Sequence, residues 1–333
     1  MGKKTDLTLL LIAGFFVFLA LFFYFPILHG EIPVNGNLLV SFLLPWRLNL
    51  PFKFIAVDEI REFFPLFNFT FENVRSGIMP FWNPYNFSGY PHLANWASSV
   101  FYPLNLFFFI FNNVQSYIFL KFSAIVLAGI FTYLHLGALK IDKRASLFGA
   151  TSFSLSSVML IWEAEIWQSA HTFLWLPLIL FSLEKMLFEK KHRFLILGAF
   201  GLAFSVIAGY TQTTLYVYLF SFSYAIFRLL GKTIKEAILV IGMFILSLGL
   251  SAIHTFSALE FFLLSPRQQI SLTQVNLDFL LPLKQLLTLF VPDFFGNVVT
   301  GNWFAQRPGQ YYEQMIYIGV MPLLLSCLSI LNK

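Results

Sequence analysis

A single cysteine, Cys327, in a chain of 333 residues excludes an internal disulfide and a cysteine-built metal centre. Charge is scarce as well: 21 basic and 16 acidic residues make up 11% of the chain, against roughly a quarter in soluble domains. That balance excludes an ordinary soluble enzyme. It also excludes a nucleic-acid partner, because the basic residues are dispersed at the ends of apolar segments and form no single patch. No Walker loop, dinucleotide fingerprint, Ser-His-Asp order or HExxH motif occurs, so a cytosolic nucleotide-sugar enzyme is unsupported. No 20–50-residue repeat, low-complexity tract or flexible linker divides the chain.

What fills the space is apolar. Hydrophobic residues reach 58%, with 44 phenylalanines. The reading is one all-α integral membrane domain covering 1–333, since a spanning helix satisfies its own backbone in lipid. Eight segments approach the roughly 20 residues a bilayer requires: Leu7–Phe25, Ser116–Leu139, Ala145–Trp162, Ser169–Met186, Phe194–Tyr210, Thr213–Phe227, Ala237–Leu264 and Met315–Ile330. The first follows Met-Gly-Lys-Lys without a small-residue cleavage site, which marks a retained helix. Val100–Phe111 is too short to cross and carries Pro103 and Asn105, so it reads as interfacial or re-entrant.

The basic residues orient the chain. With Lys3 and Lys4 in the cytoplasm, the loops carrying Lys140/Lys143/Arg144, Lys185/Lys190/Lys191/Arg193 and Arg228/Lys232/Lys235 fall on the same side. The expectation is a multi-pass protein of the cell membrane with a cytoplasmic N-terminus and three extracytoplasmic loops, 30–115, 161–168 and 265–314. Most of the acids lie in those loops, so the polar chemistry is expected outside.

Within the large first loop, the stretch Val57–Ala97 opens with the adjacent acids Asp58 and Glu59. Ile55–Phe71 has the apolar spacing of an interfacial amphipathic helix, on which adjacent residues point about 100° apart, so only one of the two acids is expected to do chemistry. A turn-rich block follows, Pro80 to Pro91, whose prolines and glycine exclude a continuous helix. Trp82, Tyr85 and Tyr312 either stack on sugar faces or form the aromatic belt of a bilayer interface, and for most such rings the belt is the better explanation. In the second loop Glu163, Glu165 and His171 are solvated charges and a core histidine, or they gather around a cation; one histidine gives no diagnostic metal spacing. Gln212 is a turn residue or a hydrogen-bond partner for a sugar hydroxyl. Leu277–Phe290 has the spacing of a helix lying on the membrane.

The blocks FWNPYNFSGYPHLANWASSVFYPLN, PDFFGN and YYEQMIYIGVMPLLL, together with an acid near the start of the first loop, resemble the bacterial YfhO-type membrane proteins. Those are similar in turn to the GT-C glycosyltransferases, which use lipid-phosphate sugar donors. The matching blocks run from about Asp58 to Leu325, and proteins of this type usually continue through further helices, so 1–333 corresponds to a short variant or to the N-terminal part of a longer architecture. The resemblance implies a GT-C-like fold and transfer of a sugar from a polyprenyl-phosphate donor to an extracytoplasmic glycan, lipid or protein acceptor. It implies Asp58 as catalytic or metal-binding carboxylate, with Glu59 as its alternate. Asp58, Glu163, Glu165 and His171 are then the candidate ligands for Mg²⁺ or Mn²⁺, which would offset charge on the leaving phosphate. Arg267 and Lys121 are the candidate cations for the donor, Arg267 because guanidinium grips phosphate bidentately and Lys121 because an ammonium inside a span is costly. Trp82, Asn83, Tyr85, Gln212 and Tyr312 complete the expected substrate contacts. Two other classes remain open: a transporter or lipid-handling protein without catalysis, and an inactive helper or fragment.

Overall fold

The computed structural model describes residues 3–34, 58–266, 281–298, 300, 302–304 and 311–331. Those residues are mostly helical. The one sheet among them is a two-residue pairing, β1 (Trp82–Asn83) antiparallel to β2 (Tyr90–Pro91).

The helices gather around α4 (Asn113–Ala138), numbered after α1 (Lys3–Phe23), α2 (Phe64–Arg75) and α3 (Phe107–Ile110). The helix α4 starts where Asn112 Oδ1 accepts the Gln115 N–H at 2.9 Å, and it packs against α1, α5 (Lys143–Ser154) and α8 (Leu176–Leu187). Close approach in lipid needs small residues, because burial from water no longer drives helix association. Gly129 supplies this on α4: a Cβ there would lie 2.2 Å from the Phe16 ring of α1. Gly201 and Gly198 do the same for α9 (Phe194–Ile207), against Ile179 of α8 and Met243 of α11 (Ile234–Leu250). Hydroxyls inside the bundle bond back to their own helices, as Thr132 does to Ala128 O and Ser182 to Leu178 O. No polar group is left for lipid to satisfy at those positions.

Each of the eight apolar segments contains helix. Among the described residues three helical stretches are long and apolar enough to cross a membrane, Asn113–Ala138, Lys143–Glu165 and Trp167–Leu187, and Ile234–Leu250 with Ala252–Leu263 makes a fourth if counted as one span. That last pair is not the straight span expected of Ala237–Leu264: α11 and α12 (Ala252–Leu263) meet at Ser251 with a 69° bend. Ala145–Trp162 is interrupted too. The helix α5 ends at Ser154 and α6 (Ser157–Glu165) begins anew, because Ser157 gives its N–H to Tyr317 O at 3.0 Å and its hydroxyl to Met315 O at 3.2 Å. The same pairing delays the last helix. Residues 315–319 form no regular element, Gly319 has φ +98°, and helix starts only at Val320.

The expected second outer loop, 161–168, shrinks to a turn at Ile166 between α6 and α7 (Trp167–Phe173). Val100–Phe111 does not span: it is a 3-10 turn, Pro103–Leu106, followed by the single turn of α3. Arg75, at the end of α2, holds it by donating to the Phe108 and Phe111 carbonyls. Of Ile55–Phe71, residues 55–57 lie outside the described residues; the remainder is a π-helical turn, Glu59–Phe63, leading into α2. Of Leu277–Phe290, residues 277–280 lie outside, and Leu283–Leu289 is 3-10 helix.

Candidate functional site

Four charged groups meet between α4, α6 and the π-turn before α2. Lys121 Nζ lies 2.5 Å from Glu59 Oε1 and 3.9 Å from Glu163 Oε2. Tyr117, one helical turn before Lys121, donates its hydroxyl to Glu59 Oε1 at 2.9 Å, and Tyr24, just past α1, donates to Glu163 Oε2 at 2.7 Å. Lys121 also reaches the Glu163 carbonyl at 3.4 Å, and Glu165 bears on it electrostatically. Glu59, Glu163, Glu165 and Lys121 are each at most 2% exposed. Charges taken out of water stay ionised only with close partners, and here the two phenols and the ammonium provide them. Glu163 Oε1 has no partner among the described residues.

Asp58 behaves differently. It is exposed, while its neighbour Glu59 is buried on Lys121. The π-turn that starts at Glu59 widens the first turn here, a feature often found at functional sites. An aromatic cluster joins residues of the three expected outer loops to Tyr210, just before α10. Trp162 meets Tyr312 edge-on at 4.8 Å and Tyr210 at 5.8 Å between ring centres, over Phe63, Leu66 and Ile166. Burial, then Glu313, Tyr216 and Asp58, raise the Tyr210 phenol to about 12. The Tyr312 phenol is raised by burial first, then by Glu313, Tyr210, Asp58 and Glu165. Glu62, one turn on, is raised by burial and by Asp58. Both phenols stay protonated and able to donate, and Asp58 bears on each electrostatically.

The other expected residues scatter. Glu163 and Glu165 are not solvated loop charges, because the loop that would carry them is helix packed against α4. His171 is a satisfied core histidine: its Nδ1 pairs with the Tyr102 hydroxyl at 2.8 Å and its Nε2 with the Leu120 carbonyl at 3.0 Å. Both nitrogens are therefore spent, and the Lys121 ammonium lies between Glu59 and Glu163 where a divalent ion would have to sit. Asp58, Glu163, Glu165 and His171 do not gather into one metal site. Among the described residues no group of three or more His, Cys, Asp or Glu is placed to hold a metal.

In the first loop, Asn83 is buried and serves the turn, its Oδ1 accepting the Tyr85 N–H at 2.9 Å. Trp82 covers Gly89, whose φ of +102° and contact with the indole leave no room for a Cβ. Tyr85 is exposed and its ring lies against Phe69. Gln212 is exposed on the first turn of α10 (Thr211–Leu229) and donates to Tyr216 at 2.9 Å. Lys121 neither snorkels nor lies open to an incoming phosphate. Arg267 lies outside the described residues.

Tyr24, Tyr117, Trp162 and Tyr210 belong to this assembly without having been read from the sequence. Tyr117 was legible in principle, since it precedes Lys121 by four residues and shares its helix face. Trp162 and Tyr210 stand at the ends of apolar segments, where an aromatic residue ordinarily signals only the interface.

A family model described as "Bacterial membrane protein YfhO" matches residues 52–333. No curated protein and no solved structure matches the chain.

Proposed function

Because the chain belongs to the YfhO family of bacterial membrane proteins over residues 52–333, we propose that it is a membrane glycosyltransferase of the GT-C type. It moves a sugar from a polyprenyl-phosphate donor to an extracytoplasmic glycan, lipid or protein. The observation that carries this reading is the division of labour within one pair of neighbours: Asp58 exposed and within electrostatic reach of Tyr210 and Tyr312, Glu59 buried on Lys121.

In this reading Asp58 takes the proton from the acceptor hydroxyl as its oxygen bonds to the anomeric carbon, and the bond from that carbon to the donor phosphate breaks. Tyr210 and Tyr312, held protonated, donate to oxygens of sugar or phosphate. Glu59 does not act on substrate; its bond to Lys121 fixes the turn that presents Asp58. Arg267 supplies the cation for the donor phosphate; if Mg²⁺ or Mn²⁺ takes part, Asp58 is the residue that would hold it, and the ion would offset charge on the leaving phosphate. The membrane orientation puts the N-terminus in the cytoplasm and this face outside, with eight apolar helices threading the bilayer.

The test uses purified protein, a short-chain polyprenyl-phosphate sugar and an acceptor fraction. Asp58→Asn is expected to fold normally and lose transfer, and Arg267→Ala to weaken donor binding. Full transfer by folded Asp58→Asn removes Asp58 from the mechanism.

One observation favours a second reading. Buried ionisable groups between helices, and elsewhere in the bundle a helix pair bent by 69°, also belong to ion-coupled transporters. Proton- or ion-dependent flux into proteoliposomes with no glycosidic product would establish it.

A further inference from the structure

At one end of the bundle, where α8 gives way to α9 and α10 to α11, charge is out of balance. Residues 184–236 carry seven lysines and arginines against three acids, Glu184, Glu189 and Glu236. Each acid is already engaged. Glu184 is buried and accepts from the Tyr224 hydroxyl at 2.6 Å and from Arg228 Nη2 at 2.6 Å. Glu189 pairs with Lys185 and Lys191, and Glu236 accepts the Thr233 N–H in a capping box at the start of α11.

Two cations meet over one ring at this corner. Arg228 Cζ lies 4.1 Å and Lys232 Nζ 3.9 Å from the centre of the Phe188 ring, which is 46% exposed. A ring face attracts cations but carries no net charge, so it gathers the two without neutralising them. Lys232 pairs with no carboxylate among the described residues. Arg228 gives Nη2 to Glu184, while its Nη1 makes no hydrogen bond among the described residues and the side chain is 25% exposed. Like charges held this close repel, and an anion whose oxygens reach both donors relieves the repulsion.

The surroundings narrow the kind of anion. Leu230 and Ile234, on either side of Lys232 in the chain, are 72% and 73% exposed, and the outward face of α11 continues apolar through Ile238, Ile241 and Ile245. In a membrane protein such a stripe faces acyl chains. Cations at the end of a lipid-facing stripe, between two helices, suit a negatively charged headgroup. A soluble phosphate would use the cations and leave the stripe unmatched. A zwitterionic lipid would match the stripe but bring its own ammonium to a corner already positive.

We propose that the Phe188–Arg228–Lys232 corner is a binding site for an anionic phospholipid. Its phosphate accepts from Arg228 Nη1 and Lys232 Nζ, and its acyl chains lie along Leu230 and the apolar stripe of α11. The site shares no residue with the Glu59–Lys121 cluster and does not depend on transferase chemistry. Its occupant ties the end of α8 to the turn between α10 and α11.

The test is native mass spectrometry of the detergent-purified protein, titrated with palmitoyl-oleoyl phosphatidylglycerol or with phosphatidylcholine of the same chains, reading the affinity of the first bound lipid. Phosphatidylglycerol is expected to bind more tightly. Lys232→Gln is expected to weaken it about five-fold, the share of one cation at a lipid surface, and to leave phosphatidylcholine unchanged. Lys235→Gln removes the same charge from an exposed position in the first turn of α11, away from the Phe188 ring, and is expected to bind as the wild type does. The pair Arg228→Gln/Glu184→Gln, which strands no buried carboxylate, is expected to weaken phosphatidylglycerol as well; if it does not fold, Lys232→Gln and Lys235→Gln still decide. Equal affinity for the two lipids in the wild type, or equal loss in Lys232→Gln and Lys235→Gln, overturns the proposal. So does displacement of phosphatidylglycerol by glycerol phosphate at comparable concentration, which would make this a site for a soluble phosphate.

Discussion

Lys121 Nζ and Glu59 Oε1 lie 2.5 Å apart with both side chains shut away from solvent, one on the central helix and the other on the turn that opens α2. That contact ties the turn before α2 to the helical bundle. It also explains why two neighbouring carboxylates end in opposite surroundings: a pair of adjacent helical residues diverges by about 100°, and the ammonium holds only one of them.

Removing the ammonium should therefore cost more than removing a surface charge. Lys121→Met leaves Glu59 and Glu163 buried without their cation, and a loss of about 3–5 kcal/mol is expected. The double variant Lys121→Met/Glu59→Gln should recover part of it. Thermal unfolding of the detergent-purified variants measures both, and an unchanged midpoint for Lys121→Met would show that the cluster does not hold the loop.

His92 gives the segment after α2 an acid sensitivity. Burial pushes its imidazole down to about 4, with Nε2 on Thr70 Oγ1 at 2.7 Å and the Phe69 and Tyr90 rings beside it. The unfolded chain, with histidine near 6.5, binds the proton that the fold refuses, so stability is full above about pH 6.5 and falls as pH drops towards 4. His92→Gln is expected to flatten the fall in melting temperature between pH 7 and pH 5. A slope identical to the wild type would assign the sensitivity to other groups.

The crossing of α1 over α4 depends on a missing side chain. A Cβ on Gly129 would meet the Phe16 ring at 2.2 Å, so Gly129→Ala should destabilise by about 1–3 kcal/mol through overpacking. Adding Phe16→Leu should relieve most of that cost. Limited proteolysis of the α1–α4 contact and the melting temperature report it together.

Gly209, between α9 and α10, has φ +95°, and a Cβ there would come within 2.7 Å of the Trp96 carbonyl and 2.3 Å of Ser99 Oγ. Alanine at this position is strained twice, by its backbone and by a carbonyl that cannot yield. We expect Gly209→Ala to shift the Trp96–Ser98 turn and Tyr210, visible as a changed tryptophan emission spectrum and a melting temperature lower by several degrees. An unchanged spectrum would mean that the turn tolerates displacement.

Much of the membrane architecture was legible before any coordinates. Mean composition and the apolar segments determined the all-α class, and each of the eight segments contains helix, because in lipid the backbone has few alternatives. Family membership was legible as well, in the Phe81–Asn105 block and the Tyr311–Leu325 block. Lengths and breaks were not. Hydropathy sums over a window and cannot register that Ser157 bonds to residues 315–317, or that α11 turns by 69° at Ser251.

The placement of charge belongs to the tertiary structure alone. Read along the chain, Glu163 and Glu165 stand at a membrane edge like any solvated pair, and His171 follows them as a tempting third ligand. Folded, the pair is sealed against Lys121 by a neighbouring helix, and His171 spends both nitrogens on Tyr102 and Leu120. A residue's type states which partners it needs, and the sequence supplied that; which partner arrives depends on contacts between segments far apart in the chain, where the distance dependence of electrostatics and hydrogen bonding makes the decision.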